Sequence, residues 1–126
     1  MTLTLERIYT VNAYDEVQDI SYLEQDLGNT KDNELQKKRL EEYHNGYFEL
    51  IGIYAVAEVL TSDNQIQKIE STGLWGIESD SGEEYLDTIR KEQIDELTDM
   101  LVKDFNINKA DIQETIEVMG TEEVRV

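Results

Sequence analysis

The feature that most constrains this chain is the apolar run at residues 47–61, "YFELIGIYAVAEVLT". Its two alternating sets of apolar side chains are Ile51, Ile53, Ala55, Ala57 and Val59 on one side, and Leu50, Tyr54, Val56 and Leu60 on the other, with Glu58 as the exception. Because successive side chains of a strand point to opposite faces, this run predicts a central strand that is covered on both faces. Gly52 predicts a bend or a close approach by another group.

The segments after this run supply further strands. The turn residues "TSDN" at 61–64 and the alternating stretch "QIQKIES" at 65–71 predict a hairpin with the central strand. A short strand is expected at residues 74–78, after Gly73.

The two ends of the chain are less regular. Residues 1–11 form a candidate strand, and residues 12–30 are expected to be a loop with a helical turn near 21–27. Residues 110–126 fit two predictions. In one, "ETIEVMG" and "TEEVRV" pair as a hairpin around Gly120, and in the other the first of these stretches is a short helix. The pattern leaves both alternatives open.

Two helices are predicted. Over residues 82–105 the apolar side chains recur three to five residues apart and trace one stripe, formed by Leu86, Ile89, Ile94, Leu97, Met100, Leu101 and Phe105. Residues 30–45 carry only a thin stripe, with Thr30 as the candidate cap and Gly46 as the stop, which is typical of a surface helix.

Together these patterns predict a single acidic α+β domain over residues 1–126. We expect a three- to four-stranded antiparallel sheet, with the 82–105 helix packed on one face and the 30–45 helix on the surface. Residues 1–18 and 106–126 are expected to be peripheral extensions.

The stretch "GLWGIESDSGEEYL", residues 73–86, holds the only tryptophan and several acids. It lacks the lysine of a phosphate loop, and its spacing does not fit a calcium loop. Glu78 and Asp80 could act as a catalytic acid pair beside Trp75. The simpler interpretation is a strand-to-helix join, in which Ser81 or Asp80 caps the helix, a glutamate three residues later completes a capping box, and the indole N–H bonds to backbone.

Charge excludes several classes of function. The formal net charge is −18, which opposes binding to nucleic acid or anionic membrane and favours a basic partner. The chain has no cysteine, hence no disulfide or thiolate chemistry, and it has one histidine. No signal peptide or membrane span is evident, so we expect a soluble intracellular protein without a cofactor.

The acidity concentrates on the predicted long helix and the two ends of the chain, and residues 78–104 alone hold ten acidic and three basic side chains. The candidate partner-binding residues are Glu83, Glu84, Asp87, Glu92, Asp95, Glu96 and Asp99. Carboxylates held on a rigid helix can imitate the phosphates of a DNA strand. The alternative is a solvated helix face with ordinary pairs, Asp87 with Lys91 and Asp99 with Lys103.

Two other charged features have structural interpretations. His44 is expected to cap the C-terminus of the 30–45 helix, where the helix dipole favours a cation. The basic cluster at residues 37–39, which ends in Arg39, is expected to pair with Glu34, Glu41 and Glu42.

Three stretches, "SYLEQD" at 21–26, "GYFELIGIYAVAEV" at 46–59 and "GLWGIESDSGEEYL" at 73–86, resemble a group of small uncharacterised proteins of bacteriophages and other mobile elements. The resemblance spans residues 19–105 and assigns no site residues. It implies a context in the cytoplasm of a bacterial host, where small acidic phage proteins often block host defences, some of them as DNA mimics.

The leading hypothesis is therefore a non-enzymatic inhibitor of a host defence nuclease, either a CRISPR effector or a restriction enzyme. The alternative is an accessory binding module that acts through an apolar patch around Tyr47, Tyr54 and Trp75, with the acidity serving only solubility. A carboxylate-based, metal-assisted hydrolase is the third hypothesis. A homodimer is compatible with each of them.

Overall fold

The computed structural model describes residues 3–25, 28, 31–119 and 122–125. Its elements, in chain order, are β1 (Thr4–Tyr14), a 3-10 turn (Ser21–Leu23), α1 (Lys31–His44), β2 (Leu50–Leu60), β3 (Ile66–Glu70), β4 (Leu74–Glu78), α2 (Glu83–Lys103), α3 (Lys109–Met119) and β5 (Glu122–Arg125). The α+β class is thus confirmed.

The sheet is larger than predicted and mixed in direction. It has five strands, and four of them follow the order β3-β2-β1-β5. The fifth strand, β4, pairs with residues 50–53 of β2, whereas β3 pairs with residues 56–60 of β2. β1, β3 and β4 run antiparallel to β2, whereas β5 runs parallel to β1. The prediction of three to four antiparallel strands was wrong because β5 is short and its pairing with β1 joins opposite ends of the chain, which local periodicity does not report.

β2 is the central strand, as the two-sided apolar pattern predicts. Leu50, Ile53, Ala55, Ala57 and Val59 have no solvent exposure. Gly52 has the predicted close neighbour, since a Cβ built on it would lie 2.0 Å from Cε3 of Trp75. Only glycine therefore lets the indole ring lie against the strand at this position.

α2 and α3 cover one face of the sheet, here called the helix face. Ile8 of β1 and Val59 of β2 pack there against Leu97 and Leu101 of α2 and Ile112 of α3. The predicted 82–105 helix is confirmed, and so is the helical alternative for the start of residues 110–126. The turn expected at Gly120 lies outside the described residues.

The opposite face of the sheet carries a separate cluster. Tyr9 and Val11 of β1 and Val56 of β2 are buried there, with Tyr54 and Val124 beside them. No described residue of α2 or α3 belongs to this cluster.

α1 lies over the start of β2 and is the predicted second helix. Leu40 and Tyr43 of α1 pack against Leu23, Phe48 and Leu50. Beyond the helix, the backbone N–H of residue 47 bonds to the carbonyl of residue 42, and that of residue 46 to the carbonyl of residue 43. The C′ residue of this Schellman motif, residue 46, is a glycine at φ 79°, as the predicted stop requires.

The N-terminal segment contributes an interior strand. β1 pairs with β2 from Thr4 to Tyr14 and with β5 from Tyr9 to Asn12, so residues 4–14 are part of the sheet. Within the described part of the chain, no helix has the length and hydropathy that crossing a membrane would need.

Candidate functional site

α2 begins without the predicted capping box. Gly82, at φ 95°, precedes its first turn, and no side chain caps that end. The hydroxyl of Ser81 instead donates to the carbonyl oxygen of Glu78 at 2.6 Å, and the backbone N–H of Ser81 bonds to the same oxygen. The cap was predicted wrongly because a tight turn between Glu78 and Ser81 takes the hydroxyl. Glu83 and Glu84 still lie in the first turn, where the helix dipole favours them.

The seven acidic residues predicted as a binding surface all lie on α2, and three of them have partners within the fold. Glu83 Oε2 lies 3.5 Å from a guanidinium nitrogen of Arg90, and Asp87 forms a short hydrogen bond with the same nitrogen. Glu96 accepts hydrogen bonds from the backbone N–H of Thr72 at 3.1 Å and from its hydroxyl at 2.7 Å. Glu83 and Asp87 therefore pair within α2, and Glu96 joins α2 to Thr72, which precedes β4.

The other four, Glu84, Glu92, Asp95 and Asp99, are exposed, and in the described chain none forms a side-chain hydrogen bond or ion pair. We call them the acidic row. From the first to the last there are 15 residue steps, which is about 22 Å of helix axis. The predicted pairs of Asp87 with Lys91 and of Asp99 with Lys103 are not formed within the described residues, and Asp87 bonds to Arg90 instead.

The acidic row belongs to a wider negative layer. α3 lies on the same sheet face as α2 and adds exposed Asp111, Glu114 and Glu117. Residues 83–117 hold eleven acidic and four basic side chains. Because both helices pack on the sheet through their apolar sides, the backbone positions that carry these outward-facing carboxylates are fixed.

The candidate acid pair, Glu78 and Asp80, is bridged by one cation from α1. The guanidinium of Arg39 contacts Asp80 through both terminal nitrogens and reaches Glu78 at 3.0 Å. It also lies 3.4 Å from Glu42, as predicted, and stacks 3.6 Å from the ring centroid of Phe48. The hydrogen bond from Arg39 lowers the pKa of Asp80, so this carboxylate is fixed in its charged form.

Tyr22 completes this cluster from the 3-10 turn. Its hydroxyl donates to Glu78 Oε2 at 2.6 Å. Burial, and then this hydrogen bond and the charge of Glu78, raise the pKa of Tyr22 well above its ordinary value. The neutral phenol and the ion pair form a structural clamp between the 3-10 turn, α1 and β4.

Trp75 lies flat on β2, away from the helix that follows it. Its ring covers Gly52 and stacks on Tyr54 with centroids 6.0 Å apart and planes inclined by 27°. The predicted backbone bond of the indole N–H is confirmed, to the carbonyl of Thr72 at 3.4 Å. Almost half of Trp75, 48%, is exposed.

The third aromatic residue of the predicted apolar patch lies apart from the other two. Tyr47 is 70% exposed and lines an open crevice with Tyr14, Tyr43 and Phe48. His44 ends α1, as predicted, with its ring edge-on to Tyr43.

Asp15 and Gln18 hold this end of the sheet together and were missed by the sequence analysis. The carboxylate of Asp15 accepts the backbone N–H groups of Val17 and Gly76. The side chain of Gln18 donates to the carbonyl of Leu50 at 2.6 Å and accepts its N–H at 3.0 Å. Two isolated polar residues in a loop give no local pattern that would predict such bonds.

Among the described residues, no group of three or more His, Cys, Asp and Glu side chains could hold a metal ion. Comparisons with protein-family models, with curated proteins and with solved structures found no match to this chain. The functional argument therefore depends on the surfaces themselves.

Proposed function

We propose that this protein is a non-enzymatic inhibitor that occupies the basic nucleic-acid groove of a host defence nuclease, a CRISPR effector or a restriction enzyme. The observation that carries the proposal is the acidic row: four carboxylates on one rigid helix with no partner among the described residues. Because no described side chain pairs with these carboxylates, they can pair with an external cation.

The dimensions of the row suit this role. Its length of about 22 Å along α2 corresponds to about six base-pair steps of B-DNA at 3.4 Å each. Each carboxylate that pairs with a basic side chain of the groove would displace bound salt ions into solution, and binding would therefore weaken with salt.

The class of partner follows from charge and from the sequence resemblance. A net charge of −18 disfavours nucleic acid as the direct ligand and favours a basic protein surface. The resemblance to small phage proteins narrows that surface to a host nuclease. That step is an analogy of context, and the charge argument does not depend on it.

The test is inhibition of DNA cleavage by a panel of purified CRISPR effectors and restriction enzymes. We expect wild-type protein to inhibit at least one enzyme, and the triple variant Glu92→Gln, Asp95→Asn, Asp99→Asn to need at least tenfold more protein for the same inhibition. The matched control is Glu24→Gln, Glu34→Gln, Glu41→Gln, which removes three exposed charges elsewhere and should stay within twofold of wild type.

Salt provides the second readout. Affinity for the inhibited enzyme should fall at least tenfold between about 50 mM and 200 mM salt, because several ion pairs form together. Equal inhibition by wild type and the triple variant, or a flat salt response, would contradict the proposal. An accessory module that uses an aromatic patch would give both of those results.

A further inference from the structure

A cleft at the end of β1 combines an exposed indole with two carboxylates. The Trp75 cleft has a volume of about 690 Å³ and is lined by Tyr14, Asp15, Glu16, Val17 and Trp75, among others. Its indole lies on Gly52, whose neighbours Ile51 and Ile53 face α2. Because side chains alternate along a strand, the ring of Trp75 lies on the opposite face of the sheet from the acidic row.

The indole is preorganised. One of its faces is fixed against Gly52 and Tyr54, and its N–H is bonded to backbone. The exposed part of the ring therefore offers a rigid π surface, whose negative quadrupole attracts a cation.

The charges of the cleft favour a cation as well. Asp15 is 9% exposed, and its two carboxylate oxygens accept the N–H groups of Val17 and Gly76 at 3.1 and 2.9 Å. Glu16 is exposed beside it. The described lining of the cleft contains no lysine or arginine, and neither carboxylate forms an ion pair with a described residue. Negative charge next to an aromatic face is complementary to a basic side chain.

We propose that the Trp75 cleft binds an arginine side chain of a partner protein. A planar guanidinium can stack on the indole and donate in parallel to a carboxylate, which a lysine ammonium cannot do. The arginine stem would pack on Val17, which is 79% exposed. This site goes beyond the proposed function and does not depend on it, because it uses a different face of the protein.

The test is a titration of ¹⁵N-labelled wild-type protein with N-acetyl-argininamide at about 0.15 M salt, where the Debye length is about 8 Å and diffuse attraction to the acidic protein is screened. The chain has one tryptophan, so its single indole N–H resonance reports on this cleft alone. We expect saturable shifts of that resonance and of the Gly76 amide. The lysine analogue should bind more weakly, and the uncharged citrulline analogue should give no saturable shift.

Glu16→Gln separates this site from general electrostatics. It should weaken argininamide binding about twofold to fivefold, the range for one exposed charge pair, whereas the control Glu24→Gln should leave it unchanged. Three results would overturn the assignment. The citrulline or lysine analogue could bind as tightly as argininamide, Glu16→Gln and Glu24→Gln could weaken argininamide binding equally, or the resonance shifts could be confined to the acidic row. The triple variant of the acidic row should retain the Trp75 shifts, so this test and the inhibition test can fail separately.

Discussion

Two groups of carboxylates lie on either side of Gly82, and their surroundings differ. Before it, Glu78 and Asp80 are bound by Arg39, with side chains 27% and 39% exposed. After it, the acidic row of α2 faces water, and no described residue pairs with its four carboxylates. The chemical groups are the same, but the first group is paired within the fold and the second has no partner among the described residues.

The difference shows that the partner, rather than the carboxylate, decides the role. Arg39 lies 39 and 41 residues before its two acids, and it reaches them because α1 packs over the start of β2. Removing that cation would leave two partly buried charges uncompensated, whereas removing a carboxylate of the acidic row would leave nothing unpaired.

The largest effect on stability is expected for Arg39→Ala. It removes the contacts with Glu78, Asp80 and Glu42 and the stacking on Phe48, and we expect the free energy of unfolding to fall by about 2 kcal/mol. Urea denaturation provides the measurement. Lys38→Ala, next to it on α1 and exposed, is the control and should change stability by less than about 0.5 kcal/mol. Equal effects of the two variants would remove the distinction between the carboxylate groups.

A smaller effect with a defined pH dependence is expected for Asp80→Asn. Arg39 lowers the pKa of Asp80 in the folded protein below its unfolded value of about 3.9, so the pair stabilises the fold above that value and loses this contribution as pH falls through the folded pKa. Because Asp80 is partly exposed, we expect a loss of only about 0.5–1 kcal/mol at pH 7.

Urea midpoints of Asp80→Asn and wild type should therefore converge as pH falls below about 3.9, the unfolded pKa. A difference that stays constant or grows on acidification would contradict the role assigned to Arg39.

The triple variant of the acidic row should hardly change stability. We expect the free energy of unfolding to stay within about 0.5 kcal/mol of wild type, with a tendency to rise, because three charges of a strongly acidic protein are removed. Thermal unfolding of the triple variant and of Arg39→Ala under the same conditions compares the stability contributions of the two carboxylate groups directly. A loss of 2 kcal/mol or more would show that the row has partners within the fold.

The smallest expected effect concerns salt. Screening should stabilise wild type slightly more than the triple variant, by a few tenths of a kcal/mol, since wild type has more self-repulsion to lose. Melting temperatures at low and at about 1 M salt would measure it. A larger gain for the variant would indicate that the acidic row attracts rather than repels its surroundings.

The sequence by itself determined the local elements. Periodicity and backbone preference act within a few residues, and they predict strands β2 and β4, helices α1 and α2 and the glycine stop at Gly46. It also located the seven candidate acids on one helix, because helical spacing is a local property.

Only the tertiary structure decided which carboxylates have partners. Four contacts join segments that are distant in sequence. They are the ion pairs of Arg39 with Glu78 and Asp80, the hydrogen bonds of Thr72 to Glu96, the parallel pairing of β5 with β1, and the packing of Trp75 on Gly52. Such contacts depend on how apolar faces pack in three dimensions, and no pattern in one segment encodes the position of the other.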